Sequence, residues 1–192
     1  MLHYSDLARD HFLNPRNVGD VNDPTVTEQA GSFRCGAAMR VSLRIDETQN
    51  ITDARFRAAG CGFLVAAASF LTDQIKGKAT GDAAALAHTH EKEVWERLGE
   101  VPADRRHCIA LAGQVVVKAI QSYSDSTRDQ WSGDEALICT CFCVSERTIE
   151  EKIQQQNLRT IAEVTAACRA GAGCRSCYSL IEDILHDQRR SK

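Results

Sequence analysis

The sequence predicts an α+β fold, a small antiparallel sheet with helices, followed by a small all-helical module. Two observations carry this. Met39-Arg-Val-Ser-Leu-Arg-Ile45 alternates apolar and polar residues, and Ile51-Thr-Asp-Ala-Arg-Phe-Arg-Ala58 follows it closely enough to pair as a hairpin. Around Ser122-Tyr-Ser-Asp-Ser-Thr-Arg-Asp-Gln-Trp-Ser-Gly-Asp-Glu135 apolar periodicity is lost, and beyond it the pattern is helical.

The elements follow in order. An amphipathic helix is expected over about Tyr4–Phe12, stopped near Asn14-Pro15 because proline disfavours helix in the residue before it. After the two strands, Phe63–Lys76 is too long an apolar run for a strand and closes on Gly77, a helix-ending glycine. Further helices are expected over Glu91–Leu98 and Arg106–Tyr123. Beyond the polar stretch, Ser145 caps a helix to about Gln155, and Thr160-Ile-Ala-Glu163 is a capping box that opens a second. Leu180, Ile181, Ile184 and Leu185 give a third its apolar face. The domains expected are residues 1–125 and 137–192, joined by a linker over 126–136. The second is marginal as an isolated core, and a bound metal centre supplies stability that burial alone does not.

Charge narrows the function classes. The 192 residues carry 23 Lys+Arg and 26 Asp+Glu, a formal charge of −3. Residues 1–126 hold 14 basic and 16 acidic side chains, and residues 127–192 hold 9 and 10. Neither part has the basic excess that neutralises phosphates, so nucleic acid is not an expected partner. The N-terminal residues lack a basic segment followed by an apolar run, and no stretch reaches the roughly 18 apolar residues of a membrane span. A cytoplasmic protein without membrane partners is expected.

In a reducing compartment nine cysteines point to metal binding or thiol chemistry rather than disulfides, and an odd number cannot pair completely. Cys139-Thr-Cys141 and Cys174-Arg-Ser-Cys177 form C-x-C and C-x-x-C within 39 residues. Cysteines two or three apart in a loop direct both sulfurs to one centre. Four thiolates close either a tetrahedral zinc site or a [2Fe–2S] cluster. Gly171-Ala-Gly173 allows a sharp turn before the second pair, and a helix begun near Arg175 aims its N-terminus at the anionic centre. Cys143 and Cys168 are surplus, as core or incidental thiols or as a substitute ligand. Cys35, Cys61 and Cys108 are widely spaced, but Gly60-Cys-Gly62 joins a strand to a helix, whose N-terminus stabilises a thiolate. With His107 they form a second candidate site.

Cys139-Thr-Cys-Phe-Cys-Val-Ser-Glu146 with Ala170-Gly-Ala-Gly-Cys-Arg-Ser-Cys177 resembles the bacterioferritin-associated-ferredoxin (BFD) type of [2Fe–2S] domain, over about residues 137–186. The resemblance implies a permanent [2Fe–2S] cluster on Cys139, Cys141, Cys174 and Cys177. His11-Phe-Leu-Asn-Pro-Arg-Asn-Val-Gly19, Cys35-Gly36, Asp53-Ala54, Gly60-Cys-Gly62, Ile75-Lys-Gly-Lys78 and His107-Cys108 resemble the IscU/NifU-N scaffold family, over about residues 2–123. The domain order is similar to that of NifU without its further C-terminal C-x-x-C (Nfu) domain. This resemblance implies an IscU/NifU-N-like fold and a transient [2Fe–2S] or [4Fe–4S] cluster, or iron or zinc, on Cys35, Cys61 and Cys108. It further implies sulfur delivered by a cysteine desulfurase, transfer to apo iron–sulfur proteins, and a homodimer. The role is assembly rather than enzymatic turnover.

Two departures stand out. The family's Cys-Gly-Asp is Cys35-Gly36-Ala37 here, which removes an oxygen ligand, leaves His107 as the motif-matched fourth ligand and predicts slower cluster exchange. Val101-Pro-Ala-Asp-Arg105 lacks the family's Leu-Pro-Pro-Val-Lys motif, which argues against a dedicated Hsp70 partner. The alternative classes are an electron-transfer or redox-sensing [2Fe–2S] protein with a degenerate scaffold domain, and a structural zinc protein.

Overall fold

The structure is a computed structural model describing residues 5–33, 35–98, 101–131, 133 and 135–190. Helix α1 (Asp6–Leu13) starts where the Ser5 hydroxyl accepts the Ala8 N–H at 3.1 Å, and it buries Ala8 and His11. Tyr4, the expected start, lies outside the described residues.

Three antiparallel strands follow in the order β1 (Val26–Gly31), β2 (Ala38–Ile45), β3 (Ile51–Ala59). The β2–β3 hairpin was expected from its alternation. Asp46 closes its turn by accepting the N–H groups of Thr48 and Asn50. Strand β1 was not expected. Its Val-Thr-Glu-Gln-Ala-Gly alternates half-buried and exposed positions with none fully buried, so it carries no apolar signal.

Helix α2 (Gly62–Ile75) covers the sheet, and Phe63, Leu64, Leu71 and Ile75 meet Met39, Val41, Leu43 and Phe56 in the buried core. Gly77 adopts φ +75° just past the helix, and its N–H bonds to the Ile51 carbonyl at 2.8 Å, tying the helix end to β3. Helix α3 (Thr80–Leu98) begins well before the expected Glu91, because Ala83 and Ala87 are small buried positions that a search for large apolar residues passes over. Helix α4 (Arg106–Asp129) runs past the expected Tyr123, so the start of the expected linker is helical. Its last turns are polar and locally paired, with the Thr127 hydroxyl on the Tyr123 carbonyl and Arg128 on Asp125. A Cβ at Gly113 of α4 would fall 2.6 Å from the Ala87 carbonyl oxygen, so only glycine permits this approach of α3 and α4.

The chain divides into two compact units, residues 1–122 and 123–192. The second holds α5 (Glu146–Gln156), α6 (Ile161–Cys168) and α7 (Tyr178–Arg190). It also has a two-stranded ladder, β4 (Leu137–Cys139) with β5 (Val144–Ser145), which the all-helical expectation did not include. Ser145 caps α5, and both hydrogen bonds of the Thr160/Glu163 capping box form. Val144, Ile149, Ile153, Val164, Ile181, Ile184 and Leu185 make its core. Leu180, expected on the apolar face of α7, is exposed instead. Among the described residues no helix is long and apolar enough to cross a membrane.

Candidate metal centres

The first unit brings its cysteines to one end of the sheet. Cys35 sits in the β1–β2 loop, where the Ser32 N–H donates to the Ala37 carbonyl at 2.7 Å and Gly36 turns through φ +67°. Cys61 is the N-cap residue of α2, and His107 and Cys108 lie in the first turn of α4. His107 Nε2 is 2.9 Å from Cys35 Sγ and 3.4 Å from Cys108 Sγ. The ligand atoms of Cys35, His107 and Cys108 lie within 4.8 Å of one another, close enough to share one metal ion. Cys61 falls outside that triplet but interacts with Cys108.

The thiols differ in acidity. Cys35 is exposed, and its pKa is lowered to about 6 by the His107 contact, the Ala37 N–H and the Ser32 hydroxyl. It is a thiolate at neutral pH. Cys108 is fully buried, and burial followed by the sulfurs of Cys61 and Cys35 pushes it up to about 12. The site thus has an outer nucleophilic thiolate and an inner thiol that ionises only when a cation offsets its burial. No sequence signal marked Ser32 as part of it.

Ala37 is buried, and a Cβ at Gly60 would lie 3.1 Å from the Ala37 Cβ and 3.0 Å from Leu64 Cδ2. The loops bearing Cys35 and Cys61 therefore touch through a glycine–alanine contact.

In the second unit Cys139 ends β4 and is buried, while Cys177, also buried, precedes α7. That helix begins at Tyr178 rather than near Arg175, because Arg175 itself takes a left-handed φ of +63°. Cys141 Sγ is 3.3 Å from Cys174 Sγ. Cys139 interacts with both Cys141 and Cys177, and Cys174 lies within electrostatic reach of Cys139 and Cys177, so the four sulfurs form one cluster. The Cys141 interaction and the N–H groups of Gly171 and Phe142 lower Cys139 to about 5, against its burial. Cys141 is raised by Cys139 and by burial, and Cys177 is pushed up to about 11 by burial and Cys139. A Cβ at Gly173 would fall 3.1 Å from Cys141 Sγ, so this glycine lets the second loop close on the first.

The donor set fits an iron–sulfur cluster. Four thiols from two loops, with backbone N–H groups of Gly171 and Phe142 directed at Cys139, are the donors that such a cluster takes. Cys143 and Cys168 have protein acceptors, Cys143 Sγ at 3.6 Å from the Thr127 carbonyl and Cys168 Sγ at 3.3 Å from that of Val164.

The family model of the NifU-like N terminal domain matches residues 3–130, and that of the BFD-like [2Fe-2S] binding domain matches residues 137–187. The chain belongs to the NifU-like family. It is 31% identical over 189 residues to the nitrogen fixation protein NifU of Azotobacter chroococcum mcd 1, covering 98% of this chain and 60% of that protein. It thus spans about three fifths of that curated relative's length. The scaffold protein IscU of Aquifex aeolicus (strain VF5) is 38% identical over 121 residues, covering 62% of this chain and 75% of IscU. A crystal structure of the N-terminal part of a nitrogen-fixing NifU-like protein from Brucella abortus superposes with a TM-score of 0.54 at 15% identity, covering 63% of this chain and 94% of that one. That likeness shows the fold of the first unit of this NifU-like chain.

Proposed function

We propose that this NifU-like chain is a scaffold on which iron–sulfur clusters are assembled and from which they pass to apo-proteins. The observation that carries the reading is the contrast between the two sites. Cys35 is an exposed thiolate beside His107, with Cys61 and Cys108 behind it. In the second unit four thiols stand together, Cys139 and Cys177 buried, Cys141 half-buried and Cys174 exposed, and Gly173 backs the sulfur of Cys141. Three thiolates and an imidazole leave a position that another ligand can take, whereas four thiolates fill the coordination of what they bind.

On this reading the cluster at Cys35, Cys61, Cys108 and His107 is cargo, as [2Fe–2S] or [4Fe–4S]. The [2Fe–2S] cluster at Cys139, Cys141, Cys174 and Cys177 is resident, and it supplies one-electron chemistry when bound. Sulfur arrives from a cysteine desulfurase. The Cys35 thiolate attacks the outer sulfur of the donor's persulfide, the S–S bond breaks, and the donor cysteine leaves as a thiolate, with no net change in electrons. The N–H of Ala37 and the Ser32 hydroxyl hold the attacking thiolate in place. The chain acts in the cytoplasm, as a homodimer, and is not an enzyme in the turnover sense.

Cys35→Ser, Cys61→Ser and Cys108→Ser are expected to abolish cluster transfer while leaving the second unit's visible absorption intact. Full transfer by all three variants would reject the scaffold reading. Ala37, which offers no oxygen ligand, favours a second reading, an electron-transfer or redox-sensing protein with a degenerate scaffold domain. That outcome would support it.

A further inference from the structure

The outer face of the sheet carries a trough of about 650 Å³ beside the first metal site. Gly31, Ala38 and Ala59 stand in register across the three strands and form its floor, and Gln29, Arg40 and Arg57 line it. The floor is close to the thiols along the chain, because Gly31 and Ala38 bracket the Cys35 loop and Ala59 is two residues from Cys61. Arg40 and Arg57 lie directly opposite each other on β2 and β3.

Both arginines contact Asp20, Arg40 through an Nη at 2.5 Å and Arg57 through Nε at 2.6 Å. Two guanidiniums against one carboxylate leave one positive charge, and neither fork is exhausted by these contacts. Arg40 Nε is buried with no hydrogen-bond partner, which is costly until an acceptor is brought to it. The volume is that of a small-molecule site, with a small-residue floor and a few polar groups on one side. Paired guanidiniums recognise planar carboxylates.

We propose that this trough binds a small polycarboxylate and so holds an anionic iron(II) chelate beside Cys35. Iron held by hard carboxylate oxygens would meet soft thiolate and imidazole ligands a few residues away. The exchange is redox-neutral. Iron–oxygen bonds break as iron–sulfur and iron–nitrogen bonds form, iron stays ferrous, and a displaced thiol proton passes to the released carboxylate. The delivery step rests on the scaffold reading, but carboxylate binding does not.

The test is a titration of the metal-free full chain with citrate, followed by amide chemical shifts. The expected result is saturable shifts at Gly31, Ala38 and Ala59. Affinity should fall at least tenfold in Arg57→Gln, which loses a largely exposed guanidinium, and in Ala59→Leu, which fills the floor without changing charge. Iron(II) citrate should then load wild type faster than Arg57→Gln, while iron(II) chloride loads both alike. Absent shifts, or shifts unchanged in both variants, would overturn the proposal. An equal response to inorganic phosphate at matched ionic strength would overturn the carboxylate assignment. A poly-glutamate peptide binding far more tightly at the same residues would transfer the trough to an acidic protein partner. Citrate binding without any cluster transfer would sink the scaffold reading alone.

Discussion

His107 Nε2 lies 2.9 Å from the sulfur of Cys35, although 72 residues separate them. This contact makes Cys35 the acidic thiol of the first site, since His107 is the largest influence holding its pKa at about 6.

Alkylation of the metal-free chain by iodoacetamide should therefore show Cys35 as the fast thiol of the first unit, with a rate that reaches half its plateau near pH 6, mapped apart from the exposed Cys174 of the second. His107→Ala should move that midpoint up by a unit or more, and Ser32→Ala by less. Mass mapping of the labelled residue against pH checks both. A midpoint unaffected by His107→Ala would remove histidine from the site's chemistry.

Ala37→Asp tests the buried contact between the two cysteine loops. The Ala37 side chain is 2% exposed, so a carboxylate there must be buried or must push the Cys35 loop outward. Denaturant titration should show a loss of about 1–3 kcal/mol in the first unit. Cluster transfer to an apo-ferredoxin should become faster, because the loop gains an oxygen ligand. Unchanged transfer would show that Ala37 does not set exchange.

Gly173→Ala places a methyl carbon about 3 Å from the sulfur of Cys141. Nothing yields there without moving the ligand. The second unit's cluster content should fall severalfold after anaerobic reconstitution, and loading at Cys35 should not change. Iron and sulfide analysis of the variant beside Cys35→Ser separates the two sites.

His11 gives the first unit a pH dependence. It is buried, with Nδ1 2.8 Å from Ser69 Oγ and its ring 5.5 Å from that of Phe70. Burial and then Arg16 lower its pKa, while Asp10 and Asp73 oppose this. A histidine with a depressed folded-state pKa favours the neutral form. Its stabilisation is complete above the unfolded value near 6.5 and is lost as pH falls through the lower folded value. Thermal melts of wild type should drop below about pH 6.5, and those of His11→Gln should be flatter over that range.

Much of this was legible from residue patterns. The alternation of Met39–Ile45 gave β2, the capping residues gave α5 and α6, and the two tight cysteine pairs named the loops that meet where Cys141 and Cys174 touch. Convergence of Cys35, Cys61 and Cys108 was legible only through family motifs, because no local spacing encodes contacts across such separations. Strand β1 stayed hidden because Thr, Glu and Gln dominate it and its pairing with β2 is set by tertiary contacts. The opening of α3 was hidden by alanines that pack because they are small.

The most direct test of the central contrast is retention under chelation. The anaerobically reconstituted 192-residue chain is exposed to a strong iron chelator and passed over a desalting column. Iron, sulfide and visible absorption are then measured for wild type, Cys35→Ser and Cys174→Ser. Wild type and Cys35→Ser should keep two iron and two sulfide per chain with the red-brown absorption of a [2Fe–2S] centre, and Cys174→Ser should keep almost none. Retention in Cys174→Ser equal to that of wild type, or stoichiometric zinc with no visible bands, would contradict the assignment of an open site in the first unit and a closed one in the second.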